Sequence, residues 1–151
     1  MRGLSLAMEG VLVAAVVLAA ATVFGLIRRR RDGALRETSR AREGGGVHTL
    51  NPNELGTDLG TRATLVQFSS AFCAPCRATR RVLGDVAGMV DGVAHVELDA
   101  ESHLELVRRL NVIRTPTVLI LDAAGRVVRR AAGTPRKADV IAALGLAIPD
   151  A

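Results

Sequence analysis

The sequence predicts an α/β domain with a central mixed sheet and helices on both faces, preceded by one N-terminal transmembrane helix. Three observations carry this reading: an uncharged apolar run from Gly10 to Ile27, an alternation of strand-like and helix-like segments across residues 47–146, and the tetrapeptide Cys73-Ala74-Pro75-Cys76 where an apolar strand gives way to a helix. Strand, helix, strand, helix, hairpin and helix is an order that yields a mixed sheet covered on two sides.

The N-terminal run comes first. Its 18 uncharged residues span roughly 27 Å at about 1.5 Å per residue, close to the hydrocarbon thickness of a bilayer. Leu4 to Met8 extends the apolar character past the single Glu9, so residues 4–27 read as an anchor. A cleaved signal peptide and a buried core helix are the competing readings. Ala19-Ala20-Ala21 imitates a small-residue cleavage site, but the apolar run continues to Ile27. Arg28 to Arg31 abut the run, whereas Arg2 alone flanks its other end. Cationic side chains beside a span favour the cytoplasmic face, so the expectation is a single-pass protein of the cell membrane with its domain on the cytoplasmic side and the extracytoplasmic side as the alternative. In the cytoplasm the two cysteines would ordinarily be kept reduced.

Charge narrows the partners. The net charge is +5, yet residues 28–43 hold seven arginines against three carboxylates, and residues 44–151 hold twelve basic against eleven acidic side chains. The basicity is therefore juxtamembrane, where it sets topology and can meet anionic headgroups. With no Trp or Tyr, and Phe68 and Phe72 the only aromatic residues outside the anchor, nucleic-acid binding is excluded as a function class. Residues 28–46, closing on Gly44-Gly45-Gly46, read as a tether; about twenty flexible residues reach near 25 Å.

Within 47–146, Val47 to Leu50 reads as a short strand and Asn53 to Leu59 as a short helix begun by Asn51-Pro52. Ala63 to Phe68 is an apolar run suited to a buried strand. The helix from Pro75 to Val90 carries Ala78, Val82, Leu83, Val86 and Val90 on its apolar side. Val93 to Asp99 alternates, with Ala94, Val96 and Leu98 on one face and His95, Glu97 and Asp99 on the other. Glu101 to Leu110 follows as a helix, Thr117 to Asp122 as a strand, Ala123-Ala124-Gly125 as a turn, Arg126 to Ala132 as a strand and Pro135 to Leu144 as the last helix. Residues 147–151 read as a tail.

Cys73 and Cys76 are the only cysteines. A thiol at a helix N-terminus has its pKa lowered from about 8.5 by oriented N–H groups, which suits Cys73 to nucleophilic attack; Cys76, one turn on, can resolve the mixed disulfide. Half a zinc site and a pair of inert structural cysteines are the other readings of this spacing. Zinc needs four ligands, and His48, His95 and His103 stand at no finger-like spacing. Pro75 and Arg77 suit an exposed, thiolate-stabilising helix end.

These residues resemble the thioredoxin family over 47–146. The likeness rests on the whole run Leu65-Val66-Gln67-Phe68-Ser69-Ser70-Ala71-Phe72-Cys73-Ala74-Pro75-Cys76, on Val112-Ile113-Arg114-Thr115-Pro116-Thr117, which resembles the family's cis-proline loop, and on Asp122, Gly125 and Gly133, which match its hairpin turn and following glycine. The resemblance implies a thioredoxin fold and dithiol/disulfide exchange through Cys73 and Cys76. Phe72, Ala74, Pro75, Thr115 and Pro116 would contact an extended substrate, with the Thr115 backbone pairing to it. No metal or organic cofactor is implied beyond the redox-active Cys73–Cys76 disulfide. Partners would be protein disulfides or a redox partner protein, such as an integral membrane protein that the tether keeps nearby.

The departures bear on mechanism. The family's buried aspartate aligns with Gln67 and the lysine facing it with His95. An amide cannot exchange a proton near neutral pH, so His95 or water assists, or resolution is slow. Phe72 stands for a tryptophan, and Ala74 for a glycine. The expectation is a membrane-tethered thiol–disulfide oxidoreductase. The alternatives are a redox-inert or redox-sensing binding module for a membrane partner, and an extracytoplasmic reductase of the cytochrome-maturation type.

Overall fold

The computed structural model describes residues 2–31, 34–37 and 48–148. It divides into two compact units, Met1–Arg31 and Asp32–Ala151. The first contains one helix, α1 (Arg2–Arg31). Its segment Gly10–Arg28 has a mean hydropathy of 2.6 and none of it is buried by the protein, so it is long and apolar enough to cross a membrane; a signal sequence meets the same description.

The second unit contains β1 (Arg36–Glu37), α2 (Pro52–Leu55), β2 (Ala63–Ser69), α3 (Ala74–Ala87), β3 (Val93–Asp99), α4 (Leu104–Arg109), β4 (Thr117–Asp122), β5 (Val127–Ala132) and α5 (Lys137–Ala147). The sheet order is β1-β5-β4-β2-β3. Strand β2 pairs parallel with β3 and antiparallel with β4, β4 pairs antiparallel with β5, and β1 adds a two-residue antiparallel edge to β5. The parallel β2–β3 pair requires a crossover, which α3 supplies.

Every residue of β2 and β4 is buried, as expected of central strands covered on both faces. Alternation then sorts their side chains into two cores. Val66, Phe68, Leu119 and Leu121 pack with Leu55 of α2 and Leu106 of α4. Ala63, Leu65, Val118 and Ile120 pack with Leu83 and Val86 of α3 and with Val140, Ala143 and Leu144 of α5. Gln67 shares the second face by the same parity, and this places it beneath α3.

Several element limits differ from the sequence reading. Helix α3 buries Cys76, Thr79, Leu83 and Val86, while Ala78 is exposed and Val82 half-buried; the helix ends at Ala87, so Val90, expected on its apolar side, lies beyond it. The helix starts at the cysteine pair, so its inward stripe is phased from Cys76. Of the expected strand at 47–50, Thr49 makes a single bridge to Arg126, and Val47 lies outside the described residues. Helix α4 is shorter than expected because 100–102 form a turn in which the Asp99 carboxylate accepts from the Glu101 N–H and the Ser102 hydroxyl, and His103 is the N-cap. Part of the expected tether belongs to the sheet, since Arg36–Glu37 pair with β5 and Leu35 packs on the α3–α5 core. Residues 38–47, with the glycine run, lie outside the described residues. At the other end α5 runs through Ala147, and Ile148 packs on that core; the rest of the expected tail is outside the described residues.

The β4–β5 turn is built as its residues require. Asp122 Oδ1 accepts from the N–H groups of Ala124 and Arg126 at 3.0 Å each, and Oδ2 accepts from Arg126 Nε at 2.7 Å. Gly125 has φ 78°, and a Cβ there would lie 2.2 Å from the Leu50 carbonyl oxygen, so no side chain fits.

Candidate active site

The site lies where β2 ends and α3 begins. Cys73 is the N-cap of α3, Ala74 and Pro75 form its first positions, and Pro75 leaves no helix hydrogen bond unmade there. Cys73 Sγ accepts from the Cys76 N–H at 3.2 Å, so the sulfur itself caps the helix. The two cysteines form a disulfide. Cys73 is half-buried, Cys76 is 2% exposed, and Phe72 projects fully into solvent.

The Thr115–Pro116 peptide is cis. Pro116 is buried, and its carbonyl accepts from the Gly133 N–H at 2.7 Å. The Thr115 and Ser70 hydroxyls lie 3.0 Å apart, and the Ser70 carbonyl accepts from the Cys73 N–H at 3.3 Å. These contacts draw the proline loop to the end of β2 beside the cysteine pair. Thr115 stays outside the main-chain ladder, which begins at Thr117. On the other side of α3's first turn, the Thr79 hydroxyl donates to the Pro75 carbonyl and lies 3.1 Å from the Thr134 hydroxyl.

Behind Cys76 is a polar network that the sequence reading did not identify. Gln67 is fully buried. Its Nε2 donates to the Cys76 carbonyl at 3.0 Å and to Ser69 Oγ at 2.7 Å, with Glu97 Oε1 at 3.3 Å. The Ser69 hydroxyl donates to Glu97 Oε1 at 2.6 Å, and Arg80 grips the same carboxylate with Nε at 2.5 Å and Nη2 at 2.9 Å. The hydrogen bonds from Arg80 hold the Glu97 carboxyl below its usual pKa, and Ser69 adds to the effect against a smaller cost of burial. The β2–β3 register explains the meeting, because Gln67 stands directly opposite Glu97.

His95 stands one register step back, opposite Leu65. Burial pushes its imidazole toward the neutral form, partly offset by Glu97, while Arg80 adds to the lowering. Its Nε2 is buried without a partner, and among the described residues no hydrogen bond joins it to Gln67 or to either cysteine. The structure thus brings Phe72, Cys73, Ala74, Pro75, Cys76, Thr115, Pro116 and Gln67 together and leaves His95 unconnected to the thiols. Among the described residues no cluster of metal-ligating side chains occurs.

The family model described as Thioredoxin matches residues 46–145. The chain belongs to the thioredoxin family. It is 27% identical to Thioredoxin H2-2 of Oryza sativa subsp. japonica over 103 residues, covering 68% of this chain and 70% of that protein. It is 30% identical to the thioredoxin of Mycobacterium tuberculosis over 90 residues, covering 59% of this chain and 77% of the relative. Among solved structures, chloroplastic thioredoxin z superposes with a TM-score of 0.54 at 25% identity over 66% of this chain and 92% of that one. Family membership together with the Cys73–Cys76 pair makes the chain a thiol–disulfide oxidoreductase.

Proposed function

We propose that this protein is a membrane-tethered enzyme that reduces or exchanges protein disulfides, with Cys73 as nucleophile and Cys76 as resolving thiol. The observation that carries the assignment of roles is the helix cap: the N–H that Cys73 Sγ accepts in the disulfide would stabilise its thiolate in the dithiol form, while Cys76 is buried. The Cys73 thiolate attacks a substrate disulfide, forming a mixed disulfide and releasing one substrate sulfur as thiolate. Cys76, on losing its proton, attacks Cys73 Sγ. That step frees the second substrate sulfur and forms the Cys73–Cys76 disulfide, which an external dithiol must reduce before the next cycle.

Substrate binding follows from the same surface. The exposed Phe72 ring, Ala74 and Pro75 form an apolar rim, and Thr115, outside the ladder, offers main chain to an extended peptide. A Cys76→Ser variant should accumulate mixed disulfides with a disulfide-bonded reporter protein, and Cys73→Ser should not. Absence of adducts from both variants would favour the binding-module reading. We further propose that α1 is a single membrane anchor and that Arg28 to Arg31 hold the domain on the cytoplasmic side. Labelling of the reduced cysteines by a membrane-impermeant maleimide in intact cells would overturn that sidedness.

A further inference from the structure

We infer that Glu97, fixed by Arg80 and Ser69, is a positioning residue that locks the orientation of the Gln67 amide and so leaves Gln67 Oε1 as a buried acceptor which reduction of the cysteine pair supplies with a donor. The inference rests on the chain's activity as a thiol–disulfide oxidoreductase.

The orientation follows from the chemistry of the neighbours. All three groups around Gln67 Nε2 accept: the Cys76 carbonyl at 3.0 Å, Ser69 Oγ at 2.7 Å and Glu97 Oε1 at 3.3 Å. Ser69 has one hydroxyl proton, and it is committed to Glu97 Oε1 at 2.6 Å. Turning the amide over would place its oxygen against a carbonyl, a carboxylate and a hydroxyl with no proton to give. Glu97 acts purely as an acceptor because Arg80 keeps it ionised with two hydrogen bonds. Gln67 Oε1 is therefore confined to the other side of the amide, and in the disulfide form it finds no partner among the described residues.

Reduction changes the inventory of donors. A dithiol reductant passes two electrons and two protons to the Cys73–Cys76 bond and leaves as its own disulfide. The S–S bond breaks, Cys73 becomes a thiol or releases its proton to solvent, and Cys76 becomes a buried thiol next to the residue whose amide already binds its carbonyl. The Cys76 S–H is the donor created in this pocket, and Oε1 is the acceptor waiting for it. The pairing exists only in the reduced state. It favours the dithiol over the disulfide and holds the proton on the resolving sulfur.

The test is a redox titration of the full chain in detergent micelles against oxidised and reduced dithiothreitol, with the thiols counted by alkylation. Gln67→Met should shift the equilibrium about tenfold toward the disulfide, which is about 30 mV more negative. Glu97→Gln should shift it at least threefold in the same direction. In the Gln67→Met background Glu97→Gln should add nothing, because Glu97 acts through the amide. A role confined to folding would weaken both redox forms alike and leave the potential unmoved. Two results would overturn the inference: an unchanged potential in Glu97→Gln, as expected if water serves Oε1 in both states, or a shift by Glu97→Gln that persists in the Gln67→Met background. If Gln67→Met does not fold, Ser69→Ala takes its place and should shift the potential in the same direction as Glu97→Gln; no shift would count against the inference.

Discussion

Replacing Arg80 by Met removes the two hydrogen bonds on Glu97 while keeping most of the aliphatic stem. The Arg80 side chain is 56% exposed, so little packing is lost; the Glu97 side chain is 24% exposed, so its carboxylate is only partly able to turn to water instead. Exposed ion pairs contribute about 0.2–1 kcal/mol and hydrogen bonds to charged groups about 1.5–3 kcal/mol. The Arg80 cation is solvated, so screening keeps this two-point pair near the exposed range. Because Arg80 holds the Glu97 pKa below its ordinary 4.5, the stabilisation is fully present above that value. It is lost as pH falls through the lower folded-state value. The gap between the parent and Arg80→Met should therefore be steady from neutral pH down to about 5 and should close in stronger acid. With no Trp or Tyr in the chain, unfolding is followed by far-UV circular dichroism in urea. With a urea dependence of about 1 kcal/mol per molar for a domain of this size, the midpoint should fall by about 0.2–1 M at neutral pH. A gap of equal size at pH 7 and pH 3 would refute the electrostatic account and point to packing of the Arg80 stem, and no gap at pH 7 would refute both.

Three further outcomes are expected. Gln67→Asp places an ionisable group beside the Cys76 carbonyl and should speed release of a mixed disulfide from Cys73, measured by stopped-flow with a labelled substrate; an unchanged release rate would mean that proton removal from Cys76 is not limiting. Gly125→Ala forces a Cβ onto the Leu50 carbonyl at a positive φ and should destabilise the domain by about 2–4 kcal/mol in urea denaturation, whereas a loss below about 0.5 kcal/mol would show that the 50–125 contact yields easily. Leu83→Ala empties a fully buried position between α3 and the sheet and should cost about 2–5 kcal/mol without moving the redox potential, because Leu83 belongs to the apolar cluster shared with α5, seven residues along the helix from Cys76.

Much of the fold is written in short-range patterns. The limits of β4 follow from an unbroken apolar run ending in a turn-forming aspartate, and the start of α3 follows from Pro75. What escapes is what depends on pairing partners. Arg36–Glu37 carries no period of its own, since a two-residue strand exists only because β5 presents an open edge. A polar, arginine-rich stretch after an anchor reads as a tether for the same reason. Leu35 packs on the α3–α5 core, so the folded unit takes in residues that precede the glycine run.

The site divides in the same way. Cys73, Cys76, Thr115 and Pro116 lie in two short motifs, and the roles proposed for them rest on local chemistry. The group facing Cys76 cannot be read so, because it is chosen by strand register. Alternation places His95, Glu97 and Asp99 on one face of β3, and each is a credible neighbour for Gln67 until the pairing is known. The parallel register puts Glu97 opposite Gln67 and His95 opposite Leu65. That difference changes the chemistry. A histidine beside the amide would offer a group that gains and loses a proton near neutral pH. A carboxylate locked by Arg80 and Ser69 offers a fixed acceptor instead. The residue that departs from the family pattern, Gln67, therefore does not stand alone: Glu97, Ser69 and Arg80 determine which way its amide faces, and Cys76 is met by an oriented dipole in place of an ionisable acid.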